Sequence, residues 1–180
     1  MERVIKLQCF EYLVKKLIDW YIEVSGNQDI IYAAFTRLKL QKLLFLSAAI
    51  NASEDNNDLL SVFGDFYAMQ YGPVESDIYN AMMNNEFTKL SFSERCMVVQ
   101  NDISGVGQDI DATIVAMIDN AIIQLRKKNE RLIKYPAFKL VEITHKWKSW
   151  QDAYDIANAL GNGSEKMLVN NICRDTKYFE

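Results

Sequence analysis

His145 is the only imidazole in the 180 residues, and that narrows the chemistry. A single histidine leaves no H-E-x-x-H motif, no Cys/His zinc set and no double-histidine metal site. A site built from carboxylates alone remains. Asp55 and Asp58 are near each other, but they sit in a loop without calcium-loop spacing, so a solvated polar turn is the simpler reading. The three thiols, Cys9, Cys96 and Cys173, are far apart and form no C-x-x-C pair. Each reads as a small apolar residue in or near the core. No serine has the surroundings of a nucleophile elbow. The run GVGQDI at 105–110 would place the third glycine of a nucleotide loop on Ile110, so it reads as a turn before a helix. The expectation is a protein with no catalytic residue, no metal and no cofactor.

Two other residue patterns could carry binding. THKWKSW at 144–150 interleaves bases with indoles, as a stacking platform for single-stranded nucleic acid would. The competing reading buries Trp147 and Trp150 on one helical face while Lys146 and Lys148 reach water, and the cost of exposing indoles favours it. Charge is also segregated. Between Leu43 and Thr88 lie Glu54, Asp55, Asp58, Asp65, Glu75, Asp77 and Glu86, with no Lys or Arg; between Arg126 and Lys148 lie eight bases and two acids. The fold therefore either has an acidic and a basic side or brings the two segments together to neutralise each other. The net charge of −4 argues against a dedicated nucleic-acid binder.

The elements that must position these residues are mostly helical. Hydrophobic residues make up 49% of the chain and it has two prolines and seven glycines, which favours a folded domain of long helices. Leu7, Phe10, Leu13, Val14, Leu17, Ile18 and Tyr21 mark a first helix over 4–24, closed by Gly26-Asn27. Residues 27–35 form a connector in which Ile30, Ile31 and Tyr32 could extend. Thr36 caps a second helix, RLKLQKLLFLSAAINA, apolar on most of its circumference after Lys42 and so central to the core. Residues 59–71 suit a strand or hairpin bent at Gly64, or a short helix. Ser76 is placed to cap a helix ending at Asn84 or Asn85. Residues 88–100 can hold short strands. Ile110, Ile114, Met117, Ile118, Ala121, Ile122 and Leu125 stripe a helix to Lys128. A further helix follows Pro136, interrupted near Ser149, and Ser164 caps a last one, SEKMLVNNIC.

The expected fold is one domain: a helical bundle of about six helices with a small hairpin or short strands near 59–71 and 88–100. No apolar run approaches the length of a membrane span. The N-terminus mixes charges and lacks an apolar signal-peptide region. With reduced, unpaired thiols, these point to the cytoplasm.

Gly72-Pro73 sits at the centre of the remaining signal. Proline fixes its own φ, lacks an N–H and pushes the preceding residue towards extended backbone, so the pair ends one element and redirects the chain. Tyr67, Tyr71 and Tyr79 flank this corner. Leu40-Gln41-Lys42-Leu43, then Tyr71-Gly72-Pro73-Val74, then Tyr79, and later Thr144-His145 with Trp150, occur in that order. This succession, over about 36–155, resembles the Panacea domain, the SocA-like antitoxin-associated family. That family usually has alanine and tryptophan before Y-G-P-V, where this chain reads Tyr67-Ala68-Met69. Residues 1–25 lie outside the motif, and 156–180 supply a terminal turn and helix.

The resemblance implies a mostly helical domain from bacterial toxin–antitoxin or prophage modules that neutralises a toxin by direct protein–protein binding, without catalysis. It offers a use for the acidic side, with Glu54, Asp55, Asp58, Asp65, Glu75 and Asp77 docking a basic toxin surface. A nucleic-acid-binding regulator using Arg126–Lys148 is a second expectation. An adaptor delivering its partner to a protease is a third. Oligomeric state and the toxin's identity are left open.

Overall fold

The long apolar stripe near the N-terminus forms α1 (Arg3–Ser25) in the computed structural model, which describes residues 2–26, 34–93, 96–99 and 103–180. Gly26, at φ 66°, ends α1 by donating its N–H to Ile22 O, a left-handed cap that glycine adopts without a Cβ penalty. The expected extension at Ile30–Tyr32 lies outside the described residues. Thr36 Oγ1 then accepts the Lys39 N–H at 3.2 Å and starts α2 (Arg37–Ala49). Every residue of α2 from Lys39 to Ala49 is buried, so it is the axis of the molecule.

A single 3₁₀ turn (Asp58–Ser61) leads into a hairpin of β1 (Phe66–Met69) and β2 (Gly72–Glu75), paired antiparallel from Phe66–Glu75 to Met69–Gly72. Of the two readings of 59–71, both have a share: a helical turn first, then the strand. The reversal falls on Gln70-Tyr71, not on Gly64 or at Pro73. Pro73 lies inside β2, an edge strand, where a missing N–H costs no ladder bond. β5 (Glu165–Lys166) flanks β1 on its other side and completes a three-stranded sheet.

α3 (Ser76–Asn84) follows β2 directly. Its cap is Glu75, whose Oε2 accepts the Ile78 N–H at 2.9 Å, and not Ser76. β3 (Leu90–Phe92) and β4 (Met97–Val99) make the short second hairpin expected near 88–100. α4 (Ala112–Lys128) begins two residues later than its apolar stripe, because Asp111 caps it by accepting the Thr113 N–H at 2.7 Å. A 3₁₀ turn (Leu132–Lys134) precedes α5 (Ala137–His145) and α6 (Lys148–Ala159), which break at Lys146-Trp147, just before the expected Ser149. Ser164 caps nothing. The residues after it pair with β1, and the last helix, α7, spans only Val169–Arg174.

Among the described residues the architecture is thus seven α-helices, with α2 as the axis and two small hairpins packed beside them. Phe45 of α2 stands edge-on to Phe66 of β1 at 5.2 Å and to Trp147 between α5 and α6 at 4.9 Å. This aromatic cluster binds the sheet, the central helix and the C-terminal helices into one core. Trp147 is fully buried and Trp150 is 7% exposed, so their apolar faces belong to that core and offer no open stacking platform.

Candidate functional site

The apolar axis α2 buries four polar side chains, Lys39, Gln41, Lys42 and Ser47, and two of them, Gln41 and Lys42, bond to the hairpin. Lys42 is 0% exposed and its Nζ donates to Pro73 O at 2.6 Å. Burial alone lowers its pKa to about 7. Gln41 Oε1 accepts the Glu75 N–H at 2.8 Å, at the other end of β2. Lys39 has its pKa lowered to about 8 by burial and rests over the Tyr21 and Phe35 rings. Gln41 and Lys42 together satisfy backbone groups on a proline-containing strand that no further strand among the described residues covers.

Gly72 explains why no side chain is tolerated at the start of β2. Its φ is +89°, and a Cβ there would lie 2.7 Å from Thr144 Oγ1 and 3.1 Å from Lys42 Cε. Thr144 is itself buried, donating from Oγ1 to Val141 O at 3.0 Å. Next to it, His145 stacks on Trp150 at 3.8 Å with planes 9° apart, and Trp150 stacks in turn on Tyr154. Trp150 Nε1 donates to Met69 O at 3.1 Å. Burial and the Lys42 charge lower the His145 pKa, while a hydrogen bond with the Gln70 backbone works against both. Lys42, Thr144, His145 and Trp150 therefore converge behind the hairpin and fix its turn from Met69 to Pro73.

The front of the hairpin is open. Tyr71 is 52% exposed, Tyr79 on α3 is 37% exposed, and Met83, one turn beyond Tyr79, is 49% exposed. They border a cleft of about 510 Å³ between the hairpin, α3 and the start of α2, floored by Leu38, Met69 and Val74. Arg37 and Gln41, four residues apart and so on one face of α2, line its polar edge. Tyr71 extends the apolar border by meeting Phe138 of α5 edge-on at 6.2 Å.

The twelve motif positions separate into two sets. Leu40, Gln41, Lys42, Leu43, Gly72, Pro73, Val74, Thr144 and Trp150 are buried, and His145 is half-buried. Tyr71 and Tyr79 face outward. The cleft residues that the sequence reading passed over are Arg37, Met69 and Met83. The available signals were helical spacing: Met83 follows Tyr79 by four, and Arg37 precedes Gln41 by four.

Four of the six acidic residues have a cationic partner. Glu75 is fully buried and pairs with Lys6 Nζ at 2.8 Å; Asp77 pairs with the same ammonium at 2.5 Å. Burial works to lower the Lys6 pKa, but these two bonds outweigh it and raise it. Burial likewise raises the Glu75 pKa against the pull of Lys6 and the Ile78 N–H. Asp65 pairs with Lys166 and Glu54 with Arg174. Asp58, at φ 45°, accepts the Leu59 N–H, and Asp55 is exposed. In the basic segment, Arg126 pairs with Glu23, Lys139 with Glu142, and Lys148 with Asp152.

The thiols lie elsewhere. Cys9 is buried, which pushes its pKa up to about 11; Cys96 meets Ser93, and Cys173 meets Asn57. Among the described residues no group of three or more His, Cys, Asp or Glu is placed to hold a metal ion. Nor is any helix among them long and apolar enough to cross a membrane.

The family model described as "Antitoxin SocA-like, Panacea domain" matches residues 40–151. No curated protein and no solved structure matches the chain. The matched span runs from Leu40 to Gln151 and so includes Gln41 and Lys42 of α2, the hairpin they hold and the Thr144–Trp150 support behind it. This chain belongs to the antitoxin SocA-like, Panacea domain family.

Proposed function

We propose that the protein neutralises a partner toxin by binding it directly, in a bacterial or prophage toxin–antitoxin module, in the cytoplasm and without catalysis. Residues 1–180 act as one unit in this reading. The observation that carries it is the division of the motif. Its buried members hold a hairpin rigid from behind, while its two outward tyrosines border an open apolar cleft. Solvent-exposed aromatics on a fixed frame suit protein recognition, because little conformational freedom is lost on binding.

The test is genetic and then physical. The reading frame beside this one is expressed alone and together with this protein. Growth arrest relieved by co-expression, with the two products eluting as one complex, is the expected result. Arrest that persists while both proteins are soluble overturns the reading. Relief that needs a protease would identify delivery for degradation instead of sequestration.

A further inference from the structure

Arg37 is the one cationic side chain lining the cleft, and it has no carboxylate partner among the described residues. Its Nη1 lies 2.8 Å from Met83 Sδ, and a thioether is a weak acceptor for a guanidinium. Three of the other arginines do have a carboxylate: Arg3 reaches Glu86, Arg126 reaches Glu23, and Arg174 reaches Glu54. The guanidinium has five donors in a planar fork whose geometry matches a carboxylate with two parallel bonds. Beside it are the exposed faces of Tyr71, Tyr79 and Met83.

We propose that the cleft docks a short segment of the partner protein in which a carboxylate lies next to an apolar side chain. The carboxylate bonds to Arg37, and the apolar side chain packs among Tyr71, Tyr79 and Met83. This deepens the toxin-binding reading and rests on it. Charge complementarity selects this occupant. One guanidinium in apolar surroundings balances one carboxylate, whereas a phosphorylated side chain would bring nearly two charges against a single cation. The cleft is also bordered by parts that do not need to move: Gln41 is held by Glu75 N–H, and the carbonyl of Met69 is held by Trp150. Such preorganisation favours a short segment, which must itself lose freedom to bind.

The probe is a pair of fluorescein-labelled heptapeptide libraries, alike except that a central Leu is followed two residues later by Asp in one and by Asn in the other. Binding to the full chain is read by polarisation, and the Met83 methyl is followed by NMR. The Asp library should bind about tenfold more tightly, as one charge-assisted pair supplies. The preference should vanish in Arg37→Gln and shrink in Arg37→Lys, which keeps the charge but loses the fork. Tyr71→Ala should weaken both libraries. Equal binding of the two libraries, no binding by either, a preference kept in Arg37→Gln, or binding without a Met83 shift overturns the assignment. So does a concentration-dependent dimer that Tyr71→Ala dissolves, which would make a second copy the occupant. The two readings fail separately. If the wild-type chain gives no relief of growth arrest, the toxin-binding reading falls whatever the peptides do. If relief is unchanged in both Arg37→Gln and Tyr71→Ala, the cleft assignment falls and toxin binding stands.

Discussion

Lys42 is a buried amine to which the described residues offer the Pro73 carbonyl oxygen but no carboxylate partner. Its Nζ bonds to Pro73 O, and burial lowers its pKa from 10.5 to about 7. Between those values the unfolded chain holds a proton that the folded chain does not. Stability therefore rises with pH across this window, and the penalty is fully present only below about pH 7. From pH 7.5 to 9.5 the Lys42 contribution should gain roughly 2 kcal/mol. Lys42→Met keeps the length of the side chain and removes the charge. Denaturant unfolding at several pH values should show the variant's curve flatter than wild type by that amount. A wild-type slope preserved in Lys42→Met would mean that Lys42 does not titrate in this window. Gly72 gives a second prediction at this scale. At φ +89°, Gly72→Ala adds backbone strain and a contact with Thr144 Oγ1 at 2.7 Å, and should cost about 2 kcal/mol or more. Thr144→Ala removes the atom in the way but not the strain. The double variant should thus be more stable than the sum of the single losses, as a double-mutant cycle by denaturation would show.

Among the elements, α1 and the hairpin meet through one ammonium. Lys6 of α1 bonds to Glu75 at the end of β2 and to Asp77 in the first turn of α3. Losing the two sides of this contact should have unequal effects. Lys6→Met leaves the fully buried Glu75 carboxylate without a cation and should cost about 3 kcal/mol. Glu75→Gln leaves Lys6 with Asp77 and keeps an oxygen for the Ile78 N–H, and should cost about 1 kcal/mol. The Lys6→Met loss should shrink in acid, as the pH falls through the raised Glu75 pKa and the carboxyl becomes neutral. Equal losses at neutral pH would show that Glu75 does not need the cation. This same contact marks what the sequence could and could not reveal. The α1 stripe, the Thr36 cap and the α4 stripe were legible because helical period and capping are local. Gln41 and Lys42 stood out only as motif positions and Glu75 only as part of an acidic side, because the partners that bury them are 31 to 69 residues away. Ser164 followed by Glu165 looked like a capped helix for the same reason, since the β1 strand that claims those residues lies far upstream. At the site, Gly72, Pro73 and the tyrosines could be picked out by type, but not which faced inward. Arg37 carried no mark beyond its place four residues before Gln41.

Taken as a whole, the molecule is larger than the span that defines its family. The match covers residues 40–151, yet α1 lies before it and still supplies a wall of the core. Cys9, Phe10, Leu13, Val14, Leu17, Ile18 and Trp20 of α1 are all buried. Phe10 packs at 5.4 Å against Phe87, and Tyr12 donates to Asp119 of α4 at 2.9 Å. Each large apolar side chain taken from water stabilises by about 1.5–3 kcal/mol, so losing the six larger ones forfeits roughly 9–18 kcal/mol, comparable with the whole 5–15 kcal/mol by which a domain of this kind is stable. A chain starting at Ala34 should therefore not unfold cooperatively, although it contains every motif residue. It should bind hydrophobic dye and lose its near-UV circular dichroism, and adding residues 2–26 as a separate peptide should abolish the dye binding and bring the circular dichroism back. If the shortened chain instead melts in one sharp transition and still relieves the toxin, then α1 is an accessory and the family's span is self-sufficient. The Lys6–Glu75 contact makes the first outcome the expected one, because without α1 the hairpin that borders the cleft keeps a buried carboxylate with no cation to meet it.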